Sequence, residues 1–167
     1  MAIMSVEANS FTQNPLDIVE EMVSANDWAF ERASNDEMLV EVAGRWCHYR
    51  MFFFWQDEIS AMQFCCQYDM KVPSGRAPAV HELLATINER MWLGHFDIDS
   101  EEQIPMFRHT TLLRGAQGAS VEQLEDLVDI ALTECERFYP AFQFVIWGGK
   151  TAPEAVSAAI LDTVAEA

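Results

Sequence analysis

The chain has 167 residues, half of them hydrophobic, with 10 basic against 27 acidic side chains and a formal net charge of −17. That length predicts one domain that buries its own core without disulfides or a structural metal. The charge argues against nucleic acid, whose phosphates need Lys and Arg, and against an anionic membrane surface.

No apolar run approaches the ~20 residues of a membrane span. The first residues, MAIMSVEANSFTQ, lack a basic segment followed by an apolar one, so a cytoplasmic protein is expected. The four cysteines fit that compartment as reduced, packed thiols, and Cys65 and Cys66 point to opposite faces of a strand.

Residues 1–13 show no periodicity and are expected to form a flexible tail, with a single domain over 14–167. Asn14 caps a helix with Pro15 at its first position, and Leu16, Val19, Met22 and Val23 form its apolar stripe. A short strand follows from Trp28 and Phe30 and turns at Ser34-Asn35-Asp36. Met38, Val40 and Val42 are the inward face of the next strand.

The segment from Arg45 to Val72 alternates with period two in both halves. Cys47, Tyr49, Met51, Phe53 and Trp55 form one apolar face, and Met62, Phe64, Cys66, Tyr68, Met70 and Val72 the other. An odd-numbered face pairs with an even-numbered one only across an even turn. Asp57-Glu58 as that turn sets Trp55 opposite Ser60, Phe53 opposite Met62 and Tyr49 opposite Cys66. Gly44-Arg45 as the preceding turn sets Val42 opposite Cys47, Val40 opposite Tyr49 and Glu41 opposite His48. Trp46, Phe52 and Phe54 then lie together on the face turned away from the core. Either a helix of the same chain covers them or they form a protein-interaction surface.

A helix from about Pro78 carries Val80, Leu83, Leu84, Ile87 and Met91 on one side. A second hairpin has strands near Leu93–Ile98 and Pro105–Leu113, with Pro105 at a strand start or edge. Ser120 to Gln123 is a capping box for the longest helix, which Pro140 should kink or break. Thr151 to Glu154 caps a short last helix. The order α-β-β-β-β-α-β-β-α(-α), with about six antiparallel strands, is an α+β fold.

Chemistry-bearing motifs are sparse. His81-Glu82 lacks the second histidine of a zinc-binding HExxH, because position 85 is Ala. Asp97, Asp99 and Glu101 resemble the start of a calcium loop, but Glu102 and Arg108 stand where that loop needs Gly and an acid. No metal, cofactor or catalytic residue is assigned. The one enzymatic alternative is a small-molecule or metal-dependent His/acid site near His95, Asp97 and His109.

Three stretches resemble the YbjN-like family of bacterial sensory transduction regulators. They are the aromatic run Trp46–Phe54, the segment Leu93-Gly94-His95-Phe96-Asp97-Ile98-Asp99, and Ile104-Pro105-Met106-Phe107-Arg108 leading into the long helix. Where family members often place Gly before the Phe-Arg strand, this chain has Glu102-Gln103. The resemblance implies the α+β fold of type III secretion chaperones, which are small, acidic, usually dimeric and non-enzymatic. The expectation is a cytoplasmic, homodimeric protein of regulatory or chaperone-like role that binds a protein partner through apolar patches, with Trp46, Phe52 and Phe54 as the candidate surface.

Overall fold

The computed structural model describes residues 12–165, with side chains as far as residue 162. The elements are α1 (Leu16–Ala25), β1 (Ala29–Ser34), β2 (Glu37–Ala43), β3 (His48–Gln56), β4 (Ala61–Gln67), α2 (Ala77–Asn88), β5 (His95–Ile98), β6 (Pro105–Leu112), α3 (Val121–Ile146) and α4 (Ala152–Ala165). The strands form one antiparallel sheet in the order β1-β2-β3-β4-β6-β5. This is the α+β architecture and element order that the periodicity predicts.

The inward strand positions do select the core. Met38, Val40 and Val42 of β2, Tyr49, Met51, Phe53 and Trp55 of β3, and Met62, Phe64 and Cys66 of β4 are all buried. They pack with the stripes of the helices, among them Leu16 and Val19 of α1, Leu83 and Ile87 of α2, and Leu127 and Phe142 of α3. Each such side chain contributes about 1.5–3 kcal/mol by leaving water. Tyr68 lies at the centre of an aromatic cluster, with Tyr139 and Phe142 rings at 5.3 Å and Tyr49 at 5.9 Å. Its hydroxyl donates to the Cys135 carbonyl at 2.7 Å, so this buried polar group is satisfied.

Both hairpin registers differ from the expected ones by two residues. Trp55 faces Met62, Phe53 faces Phe64 and Met51 faces Cys66. Val42 faces Tyr49, and Glu41 faces Arg50, not His48. The cause is turn length. Residues 57–60 make the β3-β4 turn, with a 3-10 segment at Asp57–Ile59 and Ser60 in the left-handed region at φ 49°. Gly44 to Cys47 make the β2-β3 loop, closed by Gly44 N donating to Cys47 O at 2.9 Å. A four-residue turn keeps the parity of a two-residue turn, so every strand residue stays on its assigned face.

Asn14 Oδ1 accepts from Leu16 N at 2.9 Å, which caps α1. The flexible tail expected over residues 1–13 falls, for residues 1–11, outside the described residues. Thr12 is buried, and Gln13 N donates to Gln117 O at 2.8 Å. Both expected capping boxes are present. Ser120 Oγ accepts from Gln123 N at 3.1 Å while Gln123 Oε1 accepts from Ser120 N at 2.8 Å. Thr151 and Glu154 exchange the equivalent bonds at 3.4 and 3.2 Å.

Pro140 does not end α3, which runs on to Ile146. Proline inside a helix costs about 3 kcal/mol. The turns after it bury Phe142, Val145 and Ile146, whose combined burial outweighs that cost.

Candidate interaction surface

The outer face of the sheet is laid out by its register. One row across the strands reads Glu31, Leu39, Phe52, Cys65, Arg108 and His95. The row on one side reads Ala29, Glu41, Arg50, Gln67, Met106 and Asp97, and the row on the other Glu37, Phe54, Gln63 and Thr110. A fourth row ends the sheet with Gln56, Ala61 and Leu112.

Among the described residues no helix covers this face. Phe52, Phe54, Leu39 and Cys65 are half-buried, and Leu112 is 76% exposed. A shallow trough of about 640 Å³ runs over β3, β4, β6 and β5, and none of its lining residues belongs to a helix. Its walls include Phe52, Phe54, Gln63, Cys65, Met106 and Arg108. The Arg50 guanidinium sits 5.4 Å from the Phe52 ring, and Arg108 Nη1 is 3.0 Å from Asp97 Oδ2. Burial pushes the Cys65 thiol up to about 12, with neighbouring Cys66 adding to the rise and Arg108 opposing it.

Trp46 is not on this surface. With two extra loop residues it leaves the strand and turns toward the helices. There it stacks parallel on Tyr139 at 6.2 Å, with the Arg45 guanidinium 4.7 Å from its ring. The loop is tied down by Glu136, whose carboxylate accepts from Arg45 N at 2.7 Å and from the Tyr49 hydroxyl at 2.9 Å. Burial, reinforced by that bond, holds the Tyr49 phenol well above its ordinary value. The structure therefore brings Phe52 and Phe54 together and places Trp46 on the other side of the sheet.

His95, Asp97 and His109 all border the trough, but they reach it from opposite faces of the sheet. His95 and Asp97 share the outer face of β5, whereas His109 lies opposite Phe64 on the face turned to the helices. Burial, and secondarily the His95 charge, lowers the His109 pKa. Asp99 serves the β5-β6 turn, its carboxylate accepting from Glu101 N at 2.9 Å and Glu102 N at 2.6 Å. Among the described residues no three His, Cys, Asp or Glu side chains are grouped so as to hold a metal ion.

Leu39, Met106, Arg108 and Leu112 also belong to this face and were not assigned to it from the sequence. Alternation along PMFRHTTL carries the signal for three of them: with Phe107 inward, residues 106, 108, 110 and 112 point out.

Comparison with known proteins bears on the whole domain. The YbjN family, described as "Putative bacterial sensory transduction regulator", matches residues 15–144. The chain belongs to the YbjN family. Among solved structures this YbjN-family chain is similar to the crystal structure of YbjN from E. coli, "a putative transcription regulator". The two are 13% identical, the match covers 90% of this chain and 92% of that chain, and the TM-score is 0.49. No curated protein matches the chain. The family match includes every strand, so the outer face lies wholly within the YbjN unit. Among the described residues no helix is long and apolar enough to cross a membrane.

Proposed function

We infer that this YbjN-family protein is a non-enzymatic regulator, cytoplasmic and chaperone-like, that acts by holding another protein chain against the open face of its sheet. One observation carries the reading: Phe52 and Phe54 stand on the central strand with no helix of the described chain over them. Aromatic side chains left beside water on a sheet face are characteristic of contact surfaces. The flanking Arg50, Arg108, Glu37 and Glu41 give the patch a charged rim, as a protein interface requires. The family description as a regulator supports the non-enzymatic part, and the chaperone-like part rests on the family resemblance.

The test is affinity capture from native cell extract with wild type beside a Phe52→Ser, Phe54→Ser variant. The expected result is loss of bound protein, the chain's own second copy included, in a variant whose circular dichroism and melting temperature stay close to wild type. A folded variant that retains every bound protein would sink the reading.

A further inference from the structure

We propose that the open half of β6 takes up an extended segment of a partner protein as an added antiparallel strand, with one bulky apolar side chain of that segment filling the groove between β6, Trp92 and α3. The groove is lined by inward-facing strand residues, on the other side of the sheet from Phe52 and Phe54, so the proposal does not rest on the reading above.

Backbone parity shows which groups of β6 are open. Leu113 N donates to Ser60 O at 2.8 Å, and Tyr68 N donates to Pro105 O at 3.1 Å. These bonds continue the β4-β6 ladder at its two ends. In an antiparallel ladder the N–H and C=O of one residue point to the same neighbour. Odd-numbered residues of β6 therefore turn theirs to β4, and even-numbered residues turn theirs away. On that far side Asp97 and His95 of β5 lie opposite Met106 and Arg108. Strand β5 starts at His95, so Thr110 and Leu112 extend beyond it. Among the described residues no strand or turn takes up their N–H and C=O groups.

The other edges of the sheet are guarded. Asn88 of α2 brackets Phe96 of β5: its Oδ1 accepts from Phe96 N at 2.7 Å and its Nδ2 donates to Phe96 O at 3.0 Å. Asp97 Oδ1 accepts from Ile98 N at 2.8 Å. At the far edge β1 is interrupted by a bulge between Arg32 and Ser34, and Arg32 is ion-paired to Asp17 and Glu20. Bulges, charges and cover are the usual defences of an edge strand against pairing. Thr110-Thr111-Leu112 has no charge, no proline and a regular register, and its threonines suit a strand.

Beside this edge lies a groove of about 250 Å³ whose lining includes Trp92, Leu93, Thr111, Leu113, Leu124 and Leu127. Trp92 stands 79% exposed in its wall. In an added strand the residues opposite Thr110 and Leu112 bond to β6. The residue between them, opposite Thr111, puts its side chain on the groove side. The volume falls below the roughly 300–1,000 Å³ of small-molecule sites, which favours a single side chain as occupant. A flanking residue would cover Leu112, which is exposed on the outer face. Asp126 lines the groove and no Lys or Arg does, in a chain of net charge −17. A segment with basic residues around its apolar one is therefore preferred. Strand addition of this kind takes affinity from main-chain bonds and specificity from alternate side chains.

The test is fluorescence anisotropy of the full chain with labelled seven-residue peptides of sequence KTVLVTK and its phenylalanine- and tryptophan-centred forms. At least one is expected to bind saturably. N-methylation of both valines flanking the centre removes the donors facing β6 and should weaken binding about tenfold or more. N-methylation of the central residue, whose N–H faces away, should leave binding close to that of the parent peptide. Trp92→Ala should weaken binding from an exposed position that leaves the fold intact. Thr110→Pro removes an outward N–H without touching a bond to β4 and should weaken it too, in a chain whose circular dichroism matches wild type. Asp126→Lys should weaken KTVLVTK more than QTVLVTQ. The Phe52→Ser, Phe54→Ser variant should bind as wild type does, which separates this site from the open face. The proposal is overturned if no peptide binds at about 1 mM, or if both N-methylation patterns act alike. It is equally overturned if binding is lost in the Phe52→Ser, Phe54→Ser variant and kept in Trp92→Ala. A wild-type dimer that Thr110→Pro dissociates, with no peptide bound, would give the edge to a second copy and overturn it as well.

Discussion

Gly94, Phe96 and Asp99 show what the family motif does at the scale of single residues. Gly94 has φ +69°, and a Cβ there would stand 2.3 Å from Phe107 Cζ. Phe96 is buried between Phe107 and Phe138, with ring centroids at 5.9 Å from each. Asp99 caps the turn that returns the chain into β6. These residues dock the edge hairpin against the core. Gly94→Ala combines a strained backbone with overpacking against an aromatic ring. It is expected to cost about 2–4 kcal/mol, read as a lower denaturation midpoint at unchanged m-value. The turn beyond it also holds a residue in the left-handed region, Gln103 at φ +58°. Its side chain compensates by donating to Ser100 O at 3.0 Å.

At the scale of elements, helix α3 is the support on which the sheet's inner face rests. Its start is fixed by the reciprocal Ser120 and Gln123 bonds. Ser120→Ala removes the acceptor for Gln123 N and should destabilise the domain by about 1 kcal/mol in thermal unfolding. Element type and face were legible from periodicity. Met38, Val40, Phe53 and Phe64 are core residues in the structure as in the pattern. Turn length was not legible, because two-residue and four-residue turns leave identical parity. The choice between them came from local geometry, the left-handed Ser60 and the Gly44 to Cys47 bond, which alternation does not encode. The same two residues removed Trp46 from the outer face. Of the candidate surface, Phe52 and Phe54 were legible as strand residues, whereas Trp46 was misplaced with the loop. Pro140 was read by its local penalty alone, although the outcome was set by the burial of Phe142, Val145 and Ile146.

At the scale of the whole molecule, a charge of −17 is spread over a domain whose described ion pairs are few and mostly exposed. Self-repulsion of that size opposes the compact state and is screened by salt. The melting temperature should therefore rise by a few degrees between low salt and about 0.5 M NaCl. A fall over that range would show that the ion pairs outweigh the repulsion. This test concerns the folded chain as a whole and does not depend on what occupies the sheet face.

The sheet order also governs how the chain can assemble. Strands β1 to β4 are sequential neighbours and can zip together as they leave the ribosome. Among the described residues β5 has no neighbour other than β6, and β6 enters between β4 and β5. Until Pro105–Leu112 has been made, β4 offers an unpaired edge and β5 has nothing to pair with. Strand β6 is thus the keystone of the sheet, and closure of its pairing with β4 spans α2 and the whole of β5. During that interval a strongly acidic chain has one advantage over a neutral one: open edges that carry it repel each other before they can join.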